Sequence, residues 1–262
     1  MAPSSERLRN SVKEKIARDE AAFSMTVRLV RGAEIAAIAR AAGFDSIYID
    51  LEHGSLSVET VGQISIASLG MGVAPFVRVP GVDPALITRV LDSGALGIIV
   101  PDLHSAVEAR AVVNAVKYRP MGERSYPGVA PQLNYSSMPV AEACKQLNDA
   151  TMIVAMIESS SGLAATDEIA AVPGIDILLV GANDLCAEQG VPGQFDHPLV
   201  DEAYSRTLAA CRAHGKVLGV GGLASRPDLI KKYIALGGRY VSLGADLSML
   251  VAAASRKRKE VG

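Results

Sequence analysis

The 262-residue chain has no tryptophan, three cysteines and four histidines. Each shortage excludes something. Cys144, Cys186 and Cys211 are odd in number and lack CxxC spacing, so neither a disulfide framework nor a cysteine zinc site is encoded. Unpaired thiols fit a reducing cytoplasm. No apolar run reaches the roughly 20 residues of a membrane-spanning helix. The polar N-terminus, MAPSSERLRNSVKEKIARDE, lacks the apolar centre of a secretory signal. An excess of one charge is missing too: 26 basic residues face 28 acidic ones. No basic stripe is interleaved with aromatics, which argues against nucleic acid as a partner. The one basic run, RKRK at 256–259, reads as a solvated helix end.

What the chain does have is apolar residues, 49% of the total, enough for a large core. They fall into eight short runs: 25–30, 46–51, 74–79, 96–100, 152–157, 175–180, 216–221 and 239–243. Most are continuously apolar, as strands buried on both faces require. Helical segments such as 32–43, 83–94 and 225–238 lie between them and close on glycine. Eight strand–helix units predict a (β/α)8 barrel formed by one domain, residues 1–262. An open doubly wound sheet is the competitor, but no GxGxxG follows the first strand. A polar segment over 1–20 predicts an N-terminal helix at about 4–18, placed under the barrel or at a subunit interface. Residues 118–136, rich in proline and tyrosine, predict a long functional or interfacial loop, leading to an extra helix at 137–149.

A barrel's active site lies at the carboxyl ends of its strands. The second strand ends in Asp50, Glu52 and His53, the third carries Arg78, the fifth ends in Glu158 and the sixth leads to Asp184; Arg28 and Ser242 sit on the first and last. Glu158 and Asp184 lie on neighbouring strand ends. Two carboxylates without His or Cys form an oxygen-only site suited to Mg2+ or Mn2+. Each acid alone could instead cap the helix that follows. His53 suits proton transfer near neutral pH. Arg78, ending a buried strand, needs an anion or a developing oxyanion, unless a neighbouring acid pairs with it. Asp92 closes a helix and could orient His53 or be structural. Gly221 and Gly222 permit either close backbone approach to a ligand or a plain turn. His104, His197 and His214 sit in helical or loop contexts, where structural roles are commoner.

From about residue 20 to 254 the motifs GFDSIYIDLEHG, FVRVP, LDSGALGIIVP, YRPMGERSY, MIES, VGANDL and LGADLSML together resemble the HpcH/HpaI family of metal-dependent pyruvate aldolases. The resemblance implies a (β/α)8 barrel assembled as a hexamer, a trimer of dimers, with the last helix exchanged between partners. It implies a divalent cation (Mg2+ or Mn2+, with Co2+ as a further option) on Glu158 and Asp184, His53 as base, Asp92 as its acid partner and Arg78 at the keto oxygen. The pyruvate carboxylate would lie on the backbone of Gly181, Ala182, Asn183 and Asp184, with Arg124 shaping the acceptor side. The implied reaction cleaves a 4-hydroxy-2-oxo acid reversibly into pyruvate, or a close 2-oxo acid, and an aldehyde through a metal-stabilised enolate. A decarboxylase of the oxaloacetate type, an acyl-CoA lyase of the same superfamily and a barrel kept only for binding are the alternatives. Ala182 stands where the family often has proline, and Cys186 where it has a small serine.

Overall fold

Each strand begins beside its predecessor, and the eighth returns to the first. In the computed structural model, which describes residues 8–262, β1 (Ala22–Val27), β2 (Ser46–Asp50), β3 (Ala74–Arg78), β4 (Gly97–Val100), β5 (Met152–Ile157), β6 (Ile177–Gly181), β7 (Val217–Gly221) and β8 (Gly238–Ala245) form a closed parallel barrel in that order. The expected (β/α)8 architecture is therefore present. Side chains alternate across the sheet. Those pointing outwards join the helices in the main core. Those pointing inwards (Tyr48, Phe76, Ile99, Val154, Met156, Leu179 and Tyr240 among them) fill the barrel itself. Phe76 and Tyr240 stack at 5.4 Å between ring centres. Gly97 is required beside them, because a Cβ there would lie 2.5 Å from the Phe76 ring.

The helices follow local signals. In α3 (Val58–Met71) Ser57 caps the start and Gly72, in the left-handed conformation, ends it. Asp83 caps α4 (Pro84–Asp92), which opens on proline. The remaining outer elements are α2 (Glu34–Ala41), α5 (Ala106–Val116), α6 (Val140–Ala150), α7 (Ser160–Ala164), α8 (Thr166–Ala170), α9 (Ala182–Glu188), α10 (Pro198–His214) and α11 (Pro227–Leu236).

The barrel bottom is closed by α1 (Ser11–Ala17). Val12 plugs the interior, Asn10 donates to the carbonyls of Leu96 and Ala150, and Ser11 donates to the carbonyl of Asp45. The N-terminal helix is shorter than expected, and residues 4–7 of the expected span lie outside the described residues. Along 118–136 the chain packs Tyr118, Ala130 and Leu133 against Ala143 and Leu147 of α6.

The last helix, α12 (Asp246–Val261), differs from the others. Only its first residue is buried, and Leu247, Leu250 and Val251 are exposed. No helix among the described residues is long and apolar enough to cross a membrane.

Candidate active site

At its carboxyl end the barrel interior changes from apolar to polar. The inward positions one turn above the packed layer are Thr26, Asp50, Arg78, Gly181, Gly221 and Ser242, with Glu158 just beyond β5. All of them except the fully buried Asp50 open into a cavity of about 240 Å3, also lined by Arg28, Tyr48, His53, Met156, Leu179, Asn183, Asp184 and Gly222.

On one wall, Asp50 organises the cations. Its carboxylate is fully buried and accepts from Arg78 Nε (3.0 Å) and Nη2 (2.6 Å) and from Arg28 Nε (2.6 Å). It also accepts from the backbone N–H groups of Glu52 and His53, at 3.1 and 3.2 Å, which fixes the turn that carries the histidine. Burial works to raise the Asp50 pKa, but the two guanidinium groups outweigh it and hold the carboxyl at about 2. Arg78 Nη1 meets Glu52 at 2.8 Å, and its guanidinium lies 5.3 Å from the Tyr48 ring centre. His53 is half exposed, with Nε2 3.7 Å from Glu52.

On the opposite wall, Glu158 has one oxygen bonded to the backbone N–H of Asp102, at 2.9 Å. Its Oε2 is buried with no partner among the described residues. Burial first, and the neighbouring Asp184 carboxylate second, push its pKa up to about 8. A Cβ at Gly181 would lie 2.3 Å from that Oε2, so glycine is what leaves room for the carboxylate. Gly222, at φ +74°, lies so close to the first amides of α9 that a Cβ would stand 2.9 Å from the nitrogens of Ala182 and Asn183. Glycine at 222 therefore keeps a side chain off those amides, which have no hydrogen-bond acceptor among the described residues.

An orphaned buried carboxylate oxygen beside a second carboxylate fits a hard divalent cation. Among the described residues no three His, Cys, Asp or Glu side chains cluster as a metal site, so protein ligation would rest on the pair. Helix capping does not explain Glu158, because Ser159 caps α7. Asp184 lies in the first turn of α9 and also lines the cavity.

Three expected residues do not line the cavity: Ala182, which is fully buried beside it, and Asp92 and Arg124. Asp92 does not orient His53 within the chain; it pairs with Arg124 at 2.6 Å, and Arg124 stacks 4.6 Å from the Tyr118 ring centre. The other histidines have structural partners: His104 pairs with Asp102, His197 caps α10 and His214 pairs with Asp167. Sequence reasoning missed Thr26, Tyr48, Met156 and Leu179 as lining residues. A period-two reading inside each apolar run would have found them.

Against known proteins, the family model described as HpcH/HpaI aldolase/citrate lyase matches residues 29–253. A 4-hydroxy-4-methyl-2-oxoglutarate aldolase from Hapsidospora irregularis is 38% identical over 87% of this chain and 85% of its own. A 2-dehydro-3,6-dideoxy-6-sulfogluconate aldolase from Pseudomonas putida is 35% identical over 82% of each chain. The crystal structure of an HpcH/HpaI aldolase from Desulfitobacterium hafniense DCB-2 superposes with a TM-score of 0.87 at 28% identity, covering 95% of both chains.

Proposed function

We infer the reaction of this chain, which belongs to the HpcH/HpaI aldolase/citrate lyase family and is an aldolase, from the groups that meet at its rim. It reversibly cleaves a 4-hydroxy-2-oxo acid into pyruvate, or a close 2-oxo acid, and an aldehyde or ketone. One observation carries this reading: the unpartnered Glu158 oxygen beside Asp184 shares a cavity with Arg78. The relatives described above are named as aldolases acting on substrates of this kind, and no observation favours the decarboxylase or acyl-CoA alternative.

Glu158 and Asp184 would hold the divalent cation, Mg2+ or Mn2+ with Co2+ as a further option; when bound it supplies Lewis-acid polarisation of the 2-keto group. The substrate carboxylate takes the backbone amides of Ala182 and Asn183, bounded by Gly181 and Gly222. Arg78, fixed by Asp50, donates to the keto oxygen and stabilises the negative charge that grows there as the C3–C4 bond breaks. His53 takes the proton of the 4-hydroxyl during cleavage and returns it on condensation, and in the absence of an acceptor it removes and returns a C3 proton of pyruvate. Among the described residues no lysine lines the cavity, so none of them offers a Schiff-base nucleophile there. Asp92 lies outside its own chain's cavity, so a pairing with a histidine, as the resemblance implies, would be made between copies. Arg124 travels with it and would face the acceptor side.

The chain works as a homo-oligomer, a hexamer built as a trimer of dimers with α12 exchanged. The support is that helix's exposed apolar residues. Replacing Leu250 and Val251 together with Asp should give a smaller species in sedimentation velocity, and an unchanged mass would rule the exchange out. Three unpaired cysteines, two of them buried, favour the reducing cytoplasm as its compartment.

The reaction is tested without choosing an acceptor. Pyruvate is incubated in D2O with the protein, with and without Mn2+ or Mg2+, and loss of the methyl proton signal is followed by NMR after the cation is removed. Cation-dependent exchange is expected, reduced about a hundredfold or more in His53→Ala. Absence of exchange with every cation would sink the pyruvate reading.

A further inference from the structure

Arg28 is left over once the donor half of the reaction is accounted for. Its guanidinium lines the cavity and its side chain is 38% exposed. Of its five N–H donors, only the one on Nε has a partner among the described residues, the Asp50 carboxylate. Charge balance accounts for its presence, since Asp50 and Glu52 together offset Arg28 and Arg78, but it engages only one of the five Arg28 donors. The residue is not loosely held. The backbone N–H groups of Arg28, Leu29 and Val30 all donate to the carboxylate of Asp246, at 2.8 to 3.2 Å. A guanidinium anchored at the backbone and at Nε, with both amino groups unpaired, is pre-organised for an anion.

The position of that anion follows from the shared oxygen. Arg28 Nε and Arg78 Nη2 each lie 2.6 Å from Asp50 Oδ2. The two nitrogens are therefore separated by no more than twice that distance. A group held by Arg28 is a short carbon span from the keto oxygen assigned to Arg78. Around Arg28 the wall is polar: the hydroxyls of Thr26 and Ser242 bond to each other at 3.3 Å, and Gly222 adds no side chain. The apolar side chains that line the cavity, Tyr48, Met156 and Leu179, belong to the packed barrel interior.

We propose that Arg28 selects the acceptor half of the substrate by binding a carboxylate carried directly on the carbon that bears the 4-hydroxyl. The acceptor is then a short 2-oxo acid, either an α-ketoacid or glyoxylate, in preference to a neutral aldehyde or a long-chain semialdehyde. This rests on the reading of the cavity as a 2-oxo acid site.

The test compares two ligands that lack the 4-hydroxyl and so cannot be cleaved. 2-Oxoglutarate carries the second carboxylate at the required place; 2-oxopentanoate has the same carbon chain without it. Their affinities are measured by isothermal titration calorimetry at saturating Mg2+ on the full-length protein. Wild type should bind 2-oxoglutarate about 10- to 100-fold more tightly, the range for hydrogen bonds to a charged group. Arg28→Gln should bring the two ligands within about threefold of each other by weakening 2-oxoglutarate. Arg28→Lys, which keeps the charge, should retain part of the preference. Equal binding by wild type, or a parallel loss of both ligands in Arg28→Gln, would overturn the assignment while leaving the 2-oxo acid site intact. Failure of wild type to bind either ligand would overturn both readings.

Discussion

Replacing Glu158 with Gln should abolish the thermal stabilisation that Mn2+ or Mg2+ confers, and with it cation-dependent exchange of the pyruvate methyl protons. A cation at a hundred times its dissociation constant adds about 2.7 kcal/mol to the folded state. For a chain of this size that raises Tm by roughly 5–10 °C. Glu158→Gln should show almost none of this shift, and its exchange rate should fall about a hundredfold or more. The same variant should melt at or above the wild-type temperature in chelator. A neutral amide in place of a buried carboxylate with an orphaned oxygen removes a desolvation cost and the repulsion from Asp184. Differential scanning fluorimetry with EDTA and with each cation reads both effects. A variant that keeps the cation shift would remove Glu158 from the ligand set. One that collapses in EDTA would make it a structural residue.

The largest loss of stability is expected at Asp50. Truncation to Ala leaves the buried Arg78 without its main partner, a defect that costs about 3–5 kcal/mol. It also releases the N–H groups of Glu52 and His53. Tm should therefore fall by about 10 °C or more, and pyruvate exchange should fall with it, because Arg78 and His53 lose their common anchor. The charge has its own signature in pH. The folded Asp50 pKa, at about 2, lies below its ordinary value of 3.8, so the carboxylate's contribution is complete above pH 4–5. It is lost as the pH falls towards 2. Over that range it amounts to about 2 kcal/mol, of which about 1 kcal/mol disappears between pH 5 and pH 3. Urea unfolding of wild type and Asp50→Asn at both pH values should show the gap narrowing by that amount. A gap independent of pH would mean that Asp50 acts through shape and not through charge.

The barrel was legible because its strands are buried on both faces, and continuous β-branched runs between glycine-stopped helices encode little else. The misplaced edge is instructive. Residues 28–30 look like strand, yet β1 ends at Val27. Their N–H groups turn to Asp246, more than two hundred residues away, and no local pattern reports such a contact. The site was legible to the same depth. Strand ends gave Asp50, His53, Arg78, Glu158 and Asp184 as candidates, because charged residues after apolar runs stand out. Tyr48, Met156 and Leu179 did not stand out, since an inward apolar side chain resembles an outward one in a doubly buried strand. Asp92 was expected to partner His53 because its LDSG motif matches the family's, and a structural role at the helix end was open beside it. In space, Arg124 from the long loop reaches it first, at 2.6 Å.

Asp246 also bears on how the enzyme is made. The first strand leaves the ribosome more than two hundred residues before the last one can pair with it, so the barrel cannot close until β8 has emerged. The carboxylate that fixes Arg28 comes later still, at the start of the last helix. A chain cut before Asp246 would carry every residue assigned to the donor half but would leave the backbone of residues 28–30 unpinned. The anchoring of Arg28 is thus settled only after β8 has been made, and proteolysis ahead of Asp246 would release Arg28 together with the exchanged helix.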